Sequence, residues 1–184
     1  MASEGPLNGA TFASMADGDK AWTNPGNAAT SNGSYATCAD PGEILSTDSL
    51  RATNFSFAIP SDATIDGVVA EVEKKASLDT ALNFFVDSGV FLIVGGAPVG
   101  NDKSIAGHWT TSDAYSVHGG AADMWGTTLT PAQVNASNFG FQIKALETSI
   151  TLPVTASIDH MRITVYYTEA PAVTGNALFF QPGD

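Results

Sequence analysis

Between residues 54 and 76 the chain reads NFSFAIPSDATIDGVVAEVEKKA, which holds two alternating patterns of apolar and polar positions. Phe55, Phe57 and Ile59 alternate with Asn54, Ser56 and Ala58, predicting a strand with one buried face, which Pro60-Ser61-Asp62 ends. From Ile65 the pattern resumes on Val68, Ala70 and Val72, one residue out of phase, so an inserted residue near Gly67 is expected to bulge the ladder. Glu71, Glu73 and Lys75 then face outward. Downstream, Phe139, Phe141 and Ile143 alternate with Gly140, Gln142 and Lys144. Ile150, Leu152 and Val154 repeat the device, with Pro153 at an edge position. In a last strand Met161, Ile163, Val165 and Tyr167 are the inner set and His160, Arg162, Thr164 and Tyr166 the other. A short first strand is expected over 34–38.

The run from Leu82 to Val94 is different, because both of its alternating sets are apolar and Gly95-Gly96 closes it. A strand with two apolar faces must be covered on both. A loop of the same chain and a neighbouring subunit are both open as the cover. From Ala97 to Asn138 the periods are few, which predicts a long-loop region. Within it Thr130-Pro131-Ala132-Gln133 carries an N-cap, a proline at the first helical position and the closing residue of a capping box, so a short helix is expected over 131–137.

These elements predict an all-β fold: an antiparallel β-sandwich over residues 22–168. Extended arms are expected at 1–21 and 169–184. The first 32 residues show no strand period, and Phe12 and Trp22 stand in them as isolated anchors. Leu178, Phe179 and Phe180 lie together near the end, where an apolar cluster must dock to stay soluble, so this segment reads as a docking arm.

Composition narrows the partners. Lys and Arg number 7 against 19 Asp and Glu, a formal charge of −12, which opposes binding to nucleic acid or to an anionic membrane. No secretory signal and no membrane span reads in the sequence, so the expectation is a protein made inside a cell. Cys38 is the single cysteine and is expected as a small buried hydrophobe.

Motifs for chemistry are sparse. Asp17-Gly18-Asp19 lacks the alternating ligands of a calcium loop and reads as a turn. His108, His118 and His160 do not pair at zinc-motif spacing; His118 with Asp123 is a mixed alternative. There is no nucleophile elbow, and two facing carboxylates cannot be placed from sequence. The expectation is a non-enzyme without cofactor or metal. Trp109, Tyr115 and Trp125, in the polar loop region, could form a platform for sugar rings, or they could pin loops onto the sandwich.

The phrases NFSFAIP at 54–60, ATIDGVVAEVEKKAS at 63–77, GGAADMWG at 119–126, LTPAQVNASNFGF at 129–141 and IDHMRITVYYT at 158–168 resemble a group of β-sandwich structural proteins of tailed bacteriophages. The resemblance runs from about Trp22 to Thr168. It implies a jelly-roll-like virion protein, a head decoration or head-fibre subunit or a tail component. Its partners would be the major capsid protein or other virion proteins, and it would form a homo-oligomer, with a trimer the guess. In that reading Phe12, Trp22, Leu178, Phe179 and Phe180 are the docking residues. The alternative is a carbohydrate- or receptor-binding module using Trp109, Tyr115 and Trp125.

Overall fold

The structure is a computed structural model, and it describes residues 1–40, 43–148 and 151–171. Among these residues ten strands form two five-stranded sheets. One contains β1 (Ala2–Asn8), β3 (Ala36–Asp40), β5 (Thr64–Ala76), β8 (Ala114–Gly120) and β10 (Val154–Thr168). The other, in spatial order, contains β2 (Thr11–Met15), β4 (Ser49–Thr53), β9 (Gly140–Glu147), β6 (Phe85–Val94) and β7 (Ala97–Val99). We call them sheets A and B. Every strand pair described is antiparallel, and the fold is the β-sandwich that the alternation predicts, jelly-roll-like as the resemblance implies. The chain changes sheet at each step except the β6–β7 hairpin, whose Gly95 and Gly96 have φ of 63° and 83°, as a tight primed turn demands.

The central strands follow from their patterns. In β5 the inward set Val68, Ala70 and Val72 is fully buried, and the register slips where Tyr166 and Tyr167 face Gly67 and Ile65, leaving Asp66 as the inserted residue. A Cβ on Gly67 would lie 2.5 Å from Gly120 O, so close backbone approach, besides the bulge, calls for glycine there. The helix α1 (Pro131–Val134) opens with the full capping box, Thr130 Oγ1 accepting from Gln133 N and Gln133 Oε1 from Thr130 N. Cys38 is buried.

Four expectations need correction. Residues 54–60 bury Phe55, Phe57 and Ile59 but are not a strand. Asn54 and Ser56 have φ of 61° and 59°, left-handed conformations that take the backbone off the ladder. Its polar groups find side chains instead, Ala58 N donating to the Glu4 carboxylate and Ile59 exchanging two bonds with the Asn135 amide. The N-terminal 21 residues are not an arm outside the sandwich: β1 pairs with β10, and β2 pairs with β4. Residues 97–138 contain β7 and β8, so they are not only loop. Val154 opens the long β10, and no separate strand is described for 151–153.

The two apolar sets of β6 have a partly internal cause. Between Asp87 and Gly89 the register with β9 shifts by a bulged Ser88. Before it the odd residues Phe85 and Asp87 point inward; after it the even residues Val90 and Leu92 do. A bulge reverses the alternation, so one inward face is written on both sets. What remains facing outward is Val86, bridged to His108, together with Phe91 and Ile93. Ile93 is fully buried outside the main core, opposite Pro98 of β7, whereas Phe91 is only half-buried.

Candidate functional site

The three aromatic residues expected as a sugar platform do not form one. Trp125 is fully buried with its indole N–H donating to Val68 O at 2.9 Å. Trp109 is buried at the end of the layer between the sheets, its N–H donating to Asp87 Oδ1 at 2.8 Å. A ring with no exposed face cannot stack on a ligand, so both act as pins. Tyr115 turns to the outer face of sheet A. Its hydroxyl donates to His160 Nδ1 at 2.7 Å, and the Arg162 guanidinium lies 4.2 Å from its ring centroid.

Of the docking residues, Trp22 belongs to the core, with its indole N–H donating to Asp48 O at 2.7 Å, and Phe12 sits in β2, half-buried against the core. Burial takes Trp22 away from a partner, whereas Phe12 keeps part of its side chain exposed. Leu178, Phe179 and Phe180 lie outside the described residues.

Polar residues singled out by sequence are built into the frame. Asp17 accepts from Ser49, and Asp19 from Ser46, whose backbone and side-chain donors hold the Asp19 carboxyl below its ordinary range. His118 donates from Nδ1 to Lys103 O while Asp123 pairs with Lys103 Nζ at 2.6 Å, so the two go to different partners. His108 pairs with Asp79 at 2.7 Å and stacks on Phe84.

Two cavities open between these elements. The first, about 160 Å³, lies where β5 ends and β8 begins, lined by Lys74, Asp87, Trp109 and Ser116 among others. Lys74 sits on the inward set of β5 and forms a buried ion pair with Asp87, which also accepts from Trp109 Nε1 and from Ile105 N. Burial pulls the Lys74 amine down and the Asp87 charge opposes this. With the carboxylate engaged by three donors, the corner is a structural clasp between sheets.

The second, about 260 Å³, is a groove on the outer face of sheet B lined by Phe91, Pro98, Val99, Gly100 and Gln142. Phe91 and Gln142 face each other across the β6–β9 ladder. The ring of Phe91 lies over Gly89, where an added Cβ would come 3.3 Å from its Cε2. Gln142 is held in one orientation: its Oε1 accepts from Arg51 Nε and Nη2 at 3.2 and 2.9 Å, and its Nε2 donates to Ser49 Oγ at 3.1 Å. Arg51 Nη1 reaches Gly96 O at 2.8 Å. The groove thus presents a half-exposed aromatic ring, a fixed amide and an adjacent guanidinium, all on strands of a rigid sheet. Sequence reasoning passed over Phe91 and Gln142 as sites. The signal is the second apolar set of the 82–94 run, whose cover the pattern does not identify.

No protein-family model and no curated protein sequence matches this chain. Among solved structures, one described as CBM4 is similar at 13% identity and a TM-score of 0.43, covering 83% of this chain and 92% of its own. The N-terminal cellulose-binding domain of Cellulomonas fimi β-1,4-glucanase C is similar at 12% identity and a TM-score of 0.40, covering 83% and 85%. An α-L-arabinofuranosidase structure reaches 9% identity and a TM-score of 0.43 over 90% of this chain and 25% of its own.

Proposed function

We propose that this chain is a carbohydrate-binding β-sandwich that holds its ligand without altering it, in the groove on the outer face of sheet B. The observation that carries the reading is Phe91: a half-exposed ring laid along a sheet beside an oriented amide. An aromatic face covers the apolar C–H face of a pyranose, and planar polar groups take its hydroxyls. The groove is somewhat smaller than the ~300 Å³ at which pockets for drug-sized ligands begin, which suits a short stretch of saccharide. Its lining contains no carboxylate among the described residues, whereas glycoside hydrolysis needs a pair flanking the bond. Binding without chemistry is therefore the role these residues support.

The test is a survey of purified protein against a glycan array, followed by titration calorimetry of the hits. Phe91→Ala is expected to weaken binding at least about tenfold, the scale of one lost stacking contact with its surrounding area. Tyr115→Ala, on the opposite face, should leave affinity unchanged. Binding that survives Phe91→Ala, or that Tyr115→Ala abolishes, would move the site elsewhere. The virion-decorating role implied by the sequence resemblance draws its docking residues from both termini; Phe12 and Trp22 are part of the sandwich, and no described feature favours that role over the groove.

A further inference from the structure

The cations of this chain are distributed unevenly between partners. Four of the seven Lys and Arg side chains meet a carboxylate: Lys74 with Asp87, Lys75 with Asp113 at 3.0 Å, Lys103 with Asp123 at 2.6 Å and Arg162 with Glu71 at 2.9 Å. Arg51, Lys144 and Lys20 have no carboxylate within ion-pair distance among the described residues. Two of these three, Arg51 and Lys144, stand on the groove face of sheet B, directly across the ladders from Gln142 and Gly89. In a chain where acids outnumber bases 19 to 7, two unpaired cations on one sheet face stand out.

Among the described residues Arg51 bonds to Gln142 Oε1 and Gly96 O, spending three of its five N–H donors; two remain. The Gln142 amide has one N–H to spare and its oxygen already accepts twice. Lys144 donates to Asp17 O at 2.5 Å, and its charge contributes a little to holding the Asp19 carboxyl low, so part of its field is spent there. The free capacity beside Phe91 is therefore cationic and donor-only, centred on Arg51. That is the complement of an anionic acceptor, not of an evenly mixed polyol.

We infer that the groove takes an acidic saccharide, a uronate whose ring stacks on Phe91 while its carboxylate is received by Arg51, with Gln142 donating to a neighbouring oxygen. This rests on the carbohydrate-binding reading and names its ligand class. The overall charge of −12 repels a polyanion at long range, but repulsion from the far side of the molecule is screened over about 8 Å at physiological salt, whereas a charge-assisted contact in the groove is not.

The experiment is titration calorimetry on two matched pairs of β-1,4-linked tetramers, mannotetraose against tetramannuronate and cellotetraose against its C6-oxidised counterpart. The members of each pair differ only in carboxylate against hydroxymethyl. At least one uronate is expected to bind about tenfold more tightly than its neutral partner, with the preference gone in Arg51→Met and several-fold reduced in Arg51→Lys, which keeps the charge but not the planar fork. Thermal melting of both variants checks folding, and Arg51→Lys alone suffices if Arg51→Met does not fold. Neutral tetramers bound equally or better, with Phe91→Ala abolishing the binding, overturn the inference and leave the carbohydrate reading intact. A uronate preference undiminished in both Arg51 variants also overturns it. No binding by either member of either pair, nor by any glycan on the array, removes both.

Discussion

The outer faces of the two sheets are made from similar residue types and treat them in opposite ways. On sheet A, Arg162 is clamped by Glu71 through two bonds of 3.0 and 2.9 Å and lies over Tyr115, whose hydroxyl is in turn taken by His160, which donates from Nε2 to Asn8 Oδ1 at 2.8 Å. The row runs from β8 through β5 and β10 to β1 and ties the four strands together. On sheet B, Arg51 is held by an amide and a carbonyl, and among the described residues no cation lies over the ring of Phe91. A satisfied face adds to stability and gives little to a ligand; a face with spare donors and a half-buried ring does the reverse.

The largest effect should come from the interior, which calibrates both faces. Asp87→Ala leaves the Lys74 ammonium buried without its partner and deprives the Trp109 and Ile105 N–H groups of an acceptor, so a loss of about 3–5 kcal/mol is expected in chemical denaturation. A loss under about 1 kcal/mol would mean that the corner is wet and that the two sheets are not clasped there. Next, Glu71→Ala should cost at most ~1 kcal/mol, since the pair with Arg162 is part-exposed and screened, and should leave glycan binding untouched. Phe91→Ala should do the opposite. Half-buried, the ring contributes about 1 kcal/mol or less to stability, yet binding falls at least about tenfold. If Glu71→Ala weakened binding and Phe91→Ala did not, the contrast between the faces would be inverted.

The smallest expected effect concerns pH. Burial holds the His118 imidazole below its ordinary value, and His160 is lowered the same way, by burial first and then by Arg162. A base whose folded pKa is depressed takes up protons first in the unfolded chain. The stability from these neutral rings is whole above the unfolded value of about 6.5 and is lost as pH falls through it toward the folded value. Melting temperature should decline from pH 7 toward pH 5, and His118→Gln should flatten that slope; an unchanged slope would place the proton uptake elsewhere.

How far the sequence reached depends on how local each feature is. The inward set of β5, the bulge at Gly67 and the capping box at Thr130 are short-range patterns, and each is in the structure where the pattern puts it. The segment 54–60 shows the limit: alternation forecast which side chains are buried, but not that two left-handed residues remove the backbone from a ladder. β1 and β2 were illegible because edge strands bury little; ASEGPLN and TFASM carry no alternation strong enough to mark them. Trp109 and Trp125 looked like loop aromatics because the chain around them is polar. Their burial depends on Asp87 and on Val68 O, partners many residues away.

What the sequence determined by itself is the all-β class, the inner faces of the long strands and the helix start, because each rests on side-chain period or on residues within one turn. Tertiary structure alone decided which apolar face stayed open. The bulge at Ser88 turns Phe85 and Asp87 inward and Phe91 outward along the same strand, and pairing with β9 sets Gln142 opposite that ring. Pairing with β4 then brings Arg51, from the other half of the chain, onto Gln142. The jelly-roll-like path, which changes sheet at nearly every strand, makes such neighbours distant in sequence, and no local pattern can encode a contact that exists only once both ladders have closed.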